Sequence, residues 1–351
     1  MLALIGERRR NMGITIKDIA KECGVSVATV SMALSEKPTR VSEKTKKKIR
    51  DVAQKYNYRP SNAAVSLANK KSRLIGIVFN DLRNTHISSL FMTINSVLAQ
   101  NGYSLVCHII EDDQSIDSEL IRDIGADNIS ALIWAKSKEN YSEDTLGVLN
   151  KAMNQLNIPI VTMDQYGFEC PGTDVLFDYK KGGYMATKHL IDCGHTRIGC
   201  VAGKESFHVT QQRLDGYKKA LEESGITYDP ELIYYGDYTM NSGYEAFSYI
   251  LGQKVTAIFS MNDEMAFGIY RAARLYGISI PEDISIVGFD NVPFADVMQV
   301  PLTTIGVPVN DMGKFMGEKL IELLNAKEMP EKREKVLYEP RLLVRGSAKK
   351  I

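Results

Sequence analysis

The chain has 351 residues, more than one compact domain usually holds, and its 44% hydrophobic and 25% charged residues exclude wholesale disorder. The net charge is zero, yet residues 1–73 carry 17 basic against six acidic side chains and the remainder 26 against 37, so a polyanion partner is expected for the front alone. Five scattered cysteines without a C-x-x-C exclude a disulfide scaffold or zinc ribbon and fit the cytoplasm, no apolar run approaches the roughly 18 residues of a membrane span, and the start MLALIGERRR is the reverse of a signal peptide.

Thr15-Ile16-Lys17-Asp18 has the capping-box pattern, so a helix is predicted to run to about Glu22, where Gly24 stops it. Ser26 caps a second helix, VATVSMAL. Two short helices separated by a glycine-containing turn are the helix-turn-helix signature. After a loop with Pro38, Ser42 caps a third helix over 43–57, with Ile49, Val52, Ala53 and Tyr56 at helical spacing and Lys44, Lys46, Lys47, Lys48 and Arg50 on its other face. On the second helix Val30, Ala33 and Leu34 point inward, which leaves Val27, Ala28, Ser31 and Met32 on the opposite face.

From Leu74 short apolar strands alternate with helices: LIGIVFND, a helix over 87–101, YSLVCHII, ALIWA and IPIVTMD, then VLFD, RIGCVAG, LIYYGD, VTAIFSM and ISIVGFD. Such alternation predicts parallel sheets with helices on both faces, in two sets of about five strands. Several strands end in polar groups, Asn80-Asp81, Asp164, Asp237 and Asp290, and open parallel sheets bind ligands beyond their carboxyl ends.

The stretch ITIKDIAKECGVSVATVSMALSEKPTRVSEKTKKKIRDVAQKYNYRPSNAAVSLANKKSRLIG, over 14–76, closely resembles the N-terminus of the lactose-repressor/galactose-repressor (LacI/GalR) family of transcriptional regulators, and the resemblance extends to about Gly346. It implies a three-helix DNA-binding domain over 13–59 and a hinge segment over 60–73. It also implies two doubly wound parallel-sheet subdomains of periplasmic-binding-protein type, 74–167 with 304–332 and 168–303 with 333–346. The passages between them are expected near Gly167, Thr303 and Lys332. By the same resemblance Val27, Ala28 and Met32 fall on base-contacting positions, and Ser26, Thr29 and Ser31 on hydroxyl positions that bond phosphates. Thr15 and Tyr58 also fall at the DNA surface. In the hinge, Leu67 matches a leucine that wedges into the minor groove and kinks the duplex, with Asn62 and Ala64 beside it. Many family members have Arg where this chain has Met32, so the bidentate guanine contact is absent there.

For the body, the resemblance places Arg213 (in QQRLDGY) as the arginine that clasps an effector and Asp290 (in VGFDNV) as an acid that accepts bonds from its hydroxyls. Asn262, beside Asp263 in MNDEMAFG, lines the pocket, Tyr238 (in GDYTMNSGY) packs on the effector, and Asp164 and Phe207 join them. Arginine forks, carboxylates and an aromatic face suit a sugar. After the first strand relatives often carry Asn-Pro-Phe-Phe, whereas this chain has Asn84-Thr85-His86-Ile87, so a nucleobase effector or a protein co-repressor stands as the alternative.

Other chemistries lack their motifs. GCVAGKES (199–206) has three residues between its glycines rather than the four of a P-loop, no G-x-G-x-x-G follows a strand, and neither H-E-x-x-H nor G-x-S-x-G occurs. No enzyme, cofactor or metal is expected. A solute-binding protein would have a signal peptide and no helix-turn-helix. The expected protein is a cytoplasmic, nucleoid-associated bacterial repressor, with double-stranded pseudo-palindromic operator DNA and a small carbohydrate effector as partners and no membrane. The sense of the effector's action is left open. No heptad tail follows LLVRGSAKKI, so a homodimer is expected over a tetramer.

Overall fold

The computed structural model describes residues 14–34, 40–56, 58, 72–110, 118–136, 143–164, 168–330 and 332–351. Two compact units divide the chain between Ser72 and Arg73.

The first unit holds helices α1 (Ile16–Cys23), α2 (Val27–Leu34) and α3 (Glu43–Lys55). Their ends follow the expected chemistry. The Asp18 carboxylate accepts from the Thr15 backbone N–H at 2.9 Å and from its hydroxyl at 2.6 Å. Gly24 takes the left-handed conformation, φ 69°, and its N–H returns to the Ala20 and Lys21 carbonyls. The Ser26 hydroxyl accepts from the Thr29 N–H at 3.1 Å, and that of Ser42 from the Thr45 N–H. Ile19, Ala20, Cys23, Val30, Ala33, Ile49 and Ala53 form a core common to all three helices. The loop with Pro38 lies outside the described residues.

The second unit holds two six-stranded sheets. The first contains β1 (Leu74–Phe79), β2 (Ser104–Ile109), β3 (Ala131–Trp134), β4 (Ile160–Met163), β5 (Gly172–Phe177) and β11 (Glu334–Tyr338), ordered β11-β5-β4-β3-β1-β2 and parallel throughout. The second contains β6 (Ile198–Ala202), β7 (Ile233–Tyr235), β8 (Ala257–Ser260), β9 (Ser285–Asp290), β10 (Thr303–Gly306) and β12 (Arg341–Leu343), ordered β12-β10-β9-β8-β6-β7, with β12 alone antiparallel. Each sheet reverses its winding between its first and third strands in chain order, where open α/β sheets hold ligands. The helices are α4 (Thr85–Gln100), α5 (Ser118–Ala126), α6 (Glu143–Leu156), α7 (Tyr179–Asp192), α8 (His208–Glu223), α9 (Met240–Gly252), α10 (Asp263–Tyr276), α11 (Phe294–Val297) and α12 (Val309–Asn325). Asn84 caps α4 by accepting from the His86 and Ile87 N–H groups, so this helix begins two residues before its apolar pattern suggests.

The passages between sheets differ from those expected near Gly167, Thr303 and Lys332. The chain crosses after β5, after β10 and between β11 and β12, at 178, 307–308 and 339–340. VLFD therefore ends a strand of the first sheet, and Thr303 opens a strand of the second. The subdomain boundaries at 167/168, 303/304 and 332/333 move accordingly. The cause is long-range pairing. Arg333, ahead of β11, donates Nε to Asp174 Oδ1 at 2.6 Å, Nη1 to the Cys170 carbonyl at 2.7 Å and Nη2 to Thr162 Oγ1 at 3.0 Å. This buried knot ties β11 to β5 and β4, and its partners stand about 160 residues apart in the chain.

Candidate functional sites

On the first unit, α2 separates its faces as its periodicity requires. Val30 and Ala33 are buried and Leu34 is half-buried, while Val27 and Met32 are 40% and 43% exposed beside exposed Ala28 and Ser31. The outward face is therefore dry, and two hydroxyls flank it. Ser26 and Thr29 are 2.9 Å apart at the helix start, so they cap the helix and border its N-terminal end together. Lys17, Lys21, Lys44, Lys47, Lys48 and Arg50 are exposed. Two expected contacts read differently. The Thr15 hydroxyl is engaged by Asp18, and Tyr58 packs against the module core, where burial raises its phenol. Asn62, Ala64 and Leu67 lie outside the described residues.

On the second unit, a cavity of about 360 Å³ opens between the carboxyl ends of both sheets. Asn80 and Asp81 follow β1, Ala135 follows β3, Asp164 follows β4, Asp237 and Tyr238 follow β7, Asn262 follows β8 and Asp290 ends β9. All six residues expected at an effector site, Asp164, Phe207, Arg213, Tyr238, Asn262 and Asp290, line this one cavity.

Arg213 is its centre. Its guanidinium is 4.0 Å from the Phe289 ring centroid, 4.9 Å from Tyr179 and 5.6 Å from Tyr238. Nη1 donates to the Met261 carbonyl and Nη2 to Asp290 Oδ1 at 3.5 Å, while Nε is buried without a hydrogen-bond partner. Burial alone would lower this guanidinium, but Tyr238, Asp290, Tyr179 and Asp164 outweigh it and hold it charged. Close helix packing fixes the position. A Cβ at Gly183 of α7 would run into the Arg213 backbone on α8.

The carboxylates divide by role. Asp290 is raised by burial, which His86 and Arg213 oppose. Asp164 is pushed up to about 6 by burial, and both its oxygens are engaged, Oδ1 by the Phe177 N–H at 2.9 Å and Oδ2 by the Tyr179 hydroxyl at 2.6 Å. Asn262 is similarly committed. It accepts from the Met265 N–H at 3.0 Å as the α10 cap and donates to the Tyr238 carbonyl at 2.9 Å, so it builds the wall and holds Tyr238. Asp263, raised to about 8 by burial and then by Asp290, is fully buried behind that wall and accepts from the Thr304 hydroxyl and the Val292 N–H.

Tyr238 stacks on Phe207 with ring centroids 6.3 Å apart and shares a 2.7 Å bond with Thr210. GCVAGKES finds its explanation here. Gly203 lies against the Tyr238 ring, which a Cβ would strike, so the glycine seats an aromatic and cradles no phosphate. Asp164, Tyr238 and Asp290 all have positive φ, 52°, 69° and 107°. Non-glycine residues hold such backbone only where their surroundings over-determine it.

Sequence reasoning gave no role to two of the buried lining residues, His86 and Tyr179. His86, in the first turn of α4, is buried and faces Asp290 and Arg213 from the first sheet's side. Its imidazole is lowered by burial, against the pull of Asp290. Tyr179, the first residue of α7, holds Asp164. The departure at Asn84-Thr85-His86-Ile87 was a signal for the former. Nothing local marks the latter. Among the described residues no His, Cys, Asp and Glu group could hold a metal, and no helix is long and apolar enough to cross a membrane.

Each of the two units has a counterpart among known proteins. Residues 15–61 match the bacterial regulatory proteins of the lacI family, and residues 187–348 match a periplasmic binding protein-like domain. The HTH-type transcriptional repressor PurR of Aliivibrio salmonicida (strain LFI1238) is 33% identical over 342 residues, covering 96% of this chain and 99% of that protein. The crystal structure of the lac repressor dimer bound to operator and the anti-inducer ONPF aligns with TM-score 0.80 at 26% identity, over 96% of this chain and 100% of that one. A LacI family transcriptional regulator from Enterococcus faecalis V583 with bound ribose aligns with TM-score 0.68 at 28% identity, over 79% of this chain and 99% of that one.

Proposed function

The chain belongs to the LacI family of bacterial regulatory proteins and is a DNA-binding transcriptional regulator rather than an enzyme; we propose that it is a cytoplasmic, homodimeric repressor whose grip on a pseudo-palindromic operator is set by a small carbohydrate in the cavity of its second unit. The observation that carries the effector reading is Arg213. A charged, planar guanidinium is stacked against aromatic rings beside Asp290, where both sheets present their carboxyl ends. A fork of donors next to a carboxylate suits vicinal hydroxyls, and the Tyr238–Phe207 stack offers a face for the C–H side of a ring.

On the DNA side, Val27, Ala28 and Met32 read base edges by apolar fit, for which thymine methyls are the natural partners. Ser26, Thr29 and Ser31 fix register on phosphates. Leu67, flanked by Asn62 and Ala64, wedges the central step, so part of the specificity comes from DNA deformability. Thr15 contributes through its helix end and Tyr58 by bracing the module. Leu275, Tyr276, Phe294 and Val297, on α10 and α11, are between 57% and 74% exposed, and exposed large apolar side chains suit self-association. Two subunits present two recognition helices to the two half-sites. The effector acts by binding one arrangement of the subdomains better than the other.

The test is operator selection from random duplex DNA by the full chain, followed by titration of sugars into the complex. A pseudo-palindromic consensus whose occupancy responds to a sugar is the expected result. A non-palindromic consensus, or occupancy that responds to nucleobases and not to sugars, would refute the dimer or the carbohydrate reading respectively.

A further inference from the structure

The charge of the cavity narrows the effector further, granted the reading above that a small molecule binds there. Among the described residues two cations line the cavity, and each already faces a carboxylate. Arg213 has one terminal nitrogen on the Met261 carbonyl and the other facing Asp290. Arg83 is 92% exposed, and its Nε and Nη2 lie 2.8–3.0 Å from Asp81 in a two-pronged pair.

The acids are more numerous and are spread around the wall. Asp164 and Asp290 are buried and both act on the charge of Arg213. Asp237 is held below the ordinary carboxylate range. Hydrogen bonds from Thr239 and Ser242 there outweigh its desolvation. Glu264 accepts from the Thr85 hydroxyl at 2.8 Å. Among the described lining residues His86 is the remaining side chain that could carry positive charge, and burial lowers its imidazole, so it brings no compensating charge. A phosphate or carboxylate on the ligand would shed its water, meet these acids at short range and find each guanidinium already facing an aspartate. Like charges brought together in a partly buried site are strongly disfavoured. Hydroxyl groups suit the same wall, because they donate to carboxylates and accept from Arg213 and a neutral imidazole.

We infer that this cavity selects an uncharged polyhydroxyl effector and rejects the phosphorylated and carboxylated forms of the same compound, with Glu264 and Asp237 as specificity-determining residues.

The test uses thermal shift and calorimetry on the full chain, with matched sets at fixed ionic strength: neutral pentoses, hexoses and disaccharides, their phosphate esters, their uronic acids, and uncharged nucleobases. The expected result is stabilisation by a neutral sugar, with its anionic counterparts at least about 100-fold weaker. In Glu264→Gln, which keeps an acceptor for Thr85, that ratio should shrink by about tenfold. An anionic sugar that binds as tightly as its neutral parent, or a ratio unchanged in Glu264→Gln, would overturn the inference while leaving the carbohydrate reading intact. A neutral nucleobase as the tightest ligand would support the charge inference and sink the carbohydrate reading. Silence across the whole panel counts against both.

Discussion

The Thr85 hydroxyl donates to the Glu264 carboxylate at 2.8 Å, which joins the N-terminus of the helix after β1 to the helix after β8. One residue on, His86 faces Asp290. The first pair spans the two subdomains beside the cavity, so it fastens them in the arrangement that encloses a ligand. Thr85→Val removes the bond with little change in volume. Effector affinity should fall by about tenfold, since a hydrogen bond to a charged group contributes roughly 1.5–3 kcal/mol. The melting temperature of the free protein should fall by a few degrees, about 2–4 °C for each kcal/mol lost. Calorimetric titration of the variant decides, and an unchanged affinity would show that the fastening plays no part in binding.

Arg213→Lys keeps the charge opposite Asp290 but loses the planar fork and its stack on Phe289, and these side chains are not interchangeable at such a site. Operator binding without effector should be retained, while response to effector should need at least about 100-fold more ligand. Fluorescence anisotropy on labelled operator measures both. A variant that responds like the parent protein would remove Arg213 from the ligand's recognition.

Asp263 gives a signature in pH. Burial, reinforced by Asp290, raises its carboxyl from the ordinary 3.8 to about 8. The folded protein therefore keeps a proton that the unfolded chain releases above about pH 4. The stability that this proton represents is fully present below the unfolded value and is lost as pH rises toward 8. His86 and His195, lowered by burial, act in the opposite sense below about 6.5. The comparison is therefore between the parent and Asp263→Asn, followed by thermal denaturation from pH 5 to about 8.5. The parent should lose stability relative to the variant across that range. Parallel profiles would mean that Asp263 is ionised in both folded and unfolded states.

Met32 determines how the recognition helix reads DNA. At 43% exposure on a dry face it offers fit and no hydrogen bond. Met32→Arg should create a preference for guanine at one symmetric operator position, by about 1–3 kcal/mol per contact. The exposed lysines and arginines of the module should make affinity fall steeply with salt in both proteins. Binding to a panel of operators substituted at single positions measures the switch. An Arg variant with unchanged base preference would place residue 32 away from the bases.

The parts of this structure legible in the sequence are those fixed by neighbours in the chain. Thr15 with Asp18, Gly24, Ser26 and Ser42 mark helix ends through bonds to residues three or four positions away. Strand ends rich in Asn and Asp located the cavity, because a strand that leaves a sheet must satisfy its polar groups somewhere. Sheet membership was not legible. Gly172–Phe177 is buried on both faces and Glu334–Tyr338 is an edge, and the bond that assigns both, Arg333 to Asp174, joins distant parts of the chain. Individual roles blurred for a related reason. Asn262 and Asp164 lie at the cavity as expected, but their polar atoms are engaged by Tyr238, Met265, Phe177 and Tyr179, and only the fold reveals such partners.

The left-handed backbone at Asp164, Tyr238 and Asp290 carries a consequence for the protein's descendants. Each of these residues holds a conformation that glycine would adopt without strain, so relief of backbone strain alone would favour glycine at all three. That replacement would remove two carboxylates and an aromatic ring from the wall of the cavity. Backbone ease and responsiveness thus pull these three positions in opposite directions. A lineage in which glycine has settled at these positions would be one whose repressor has stopped listening to its ligand.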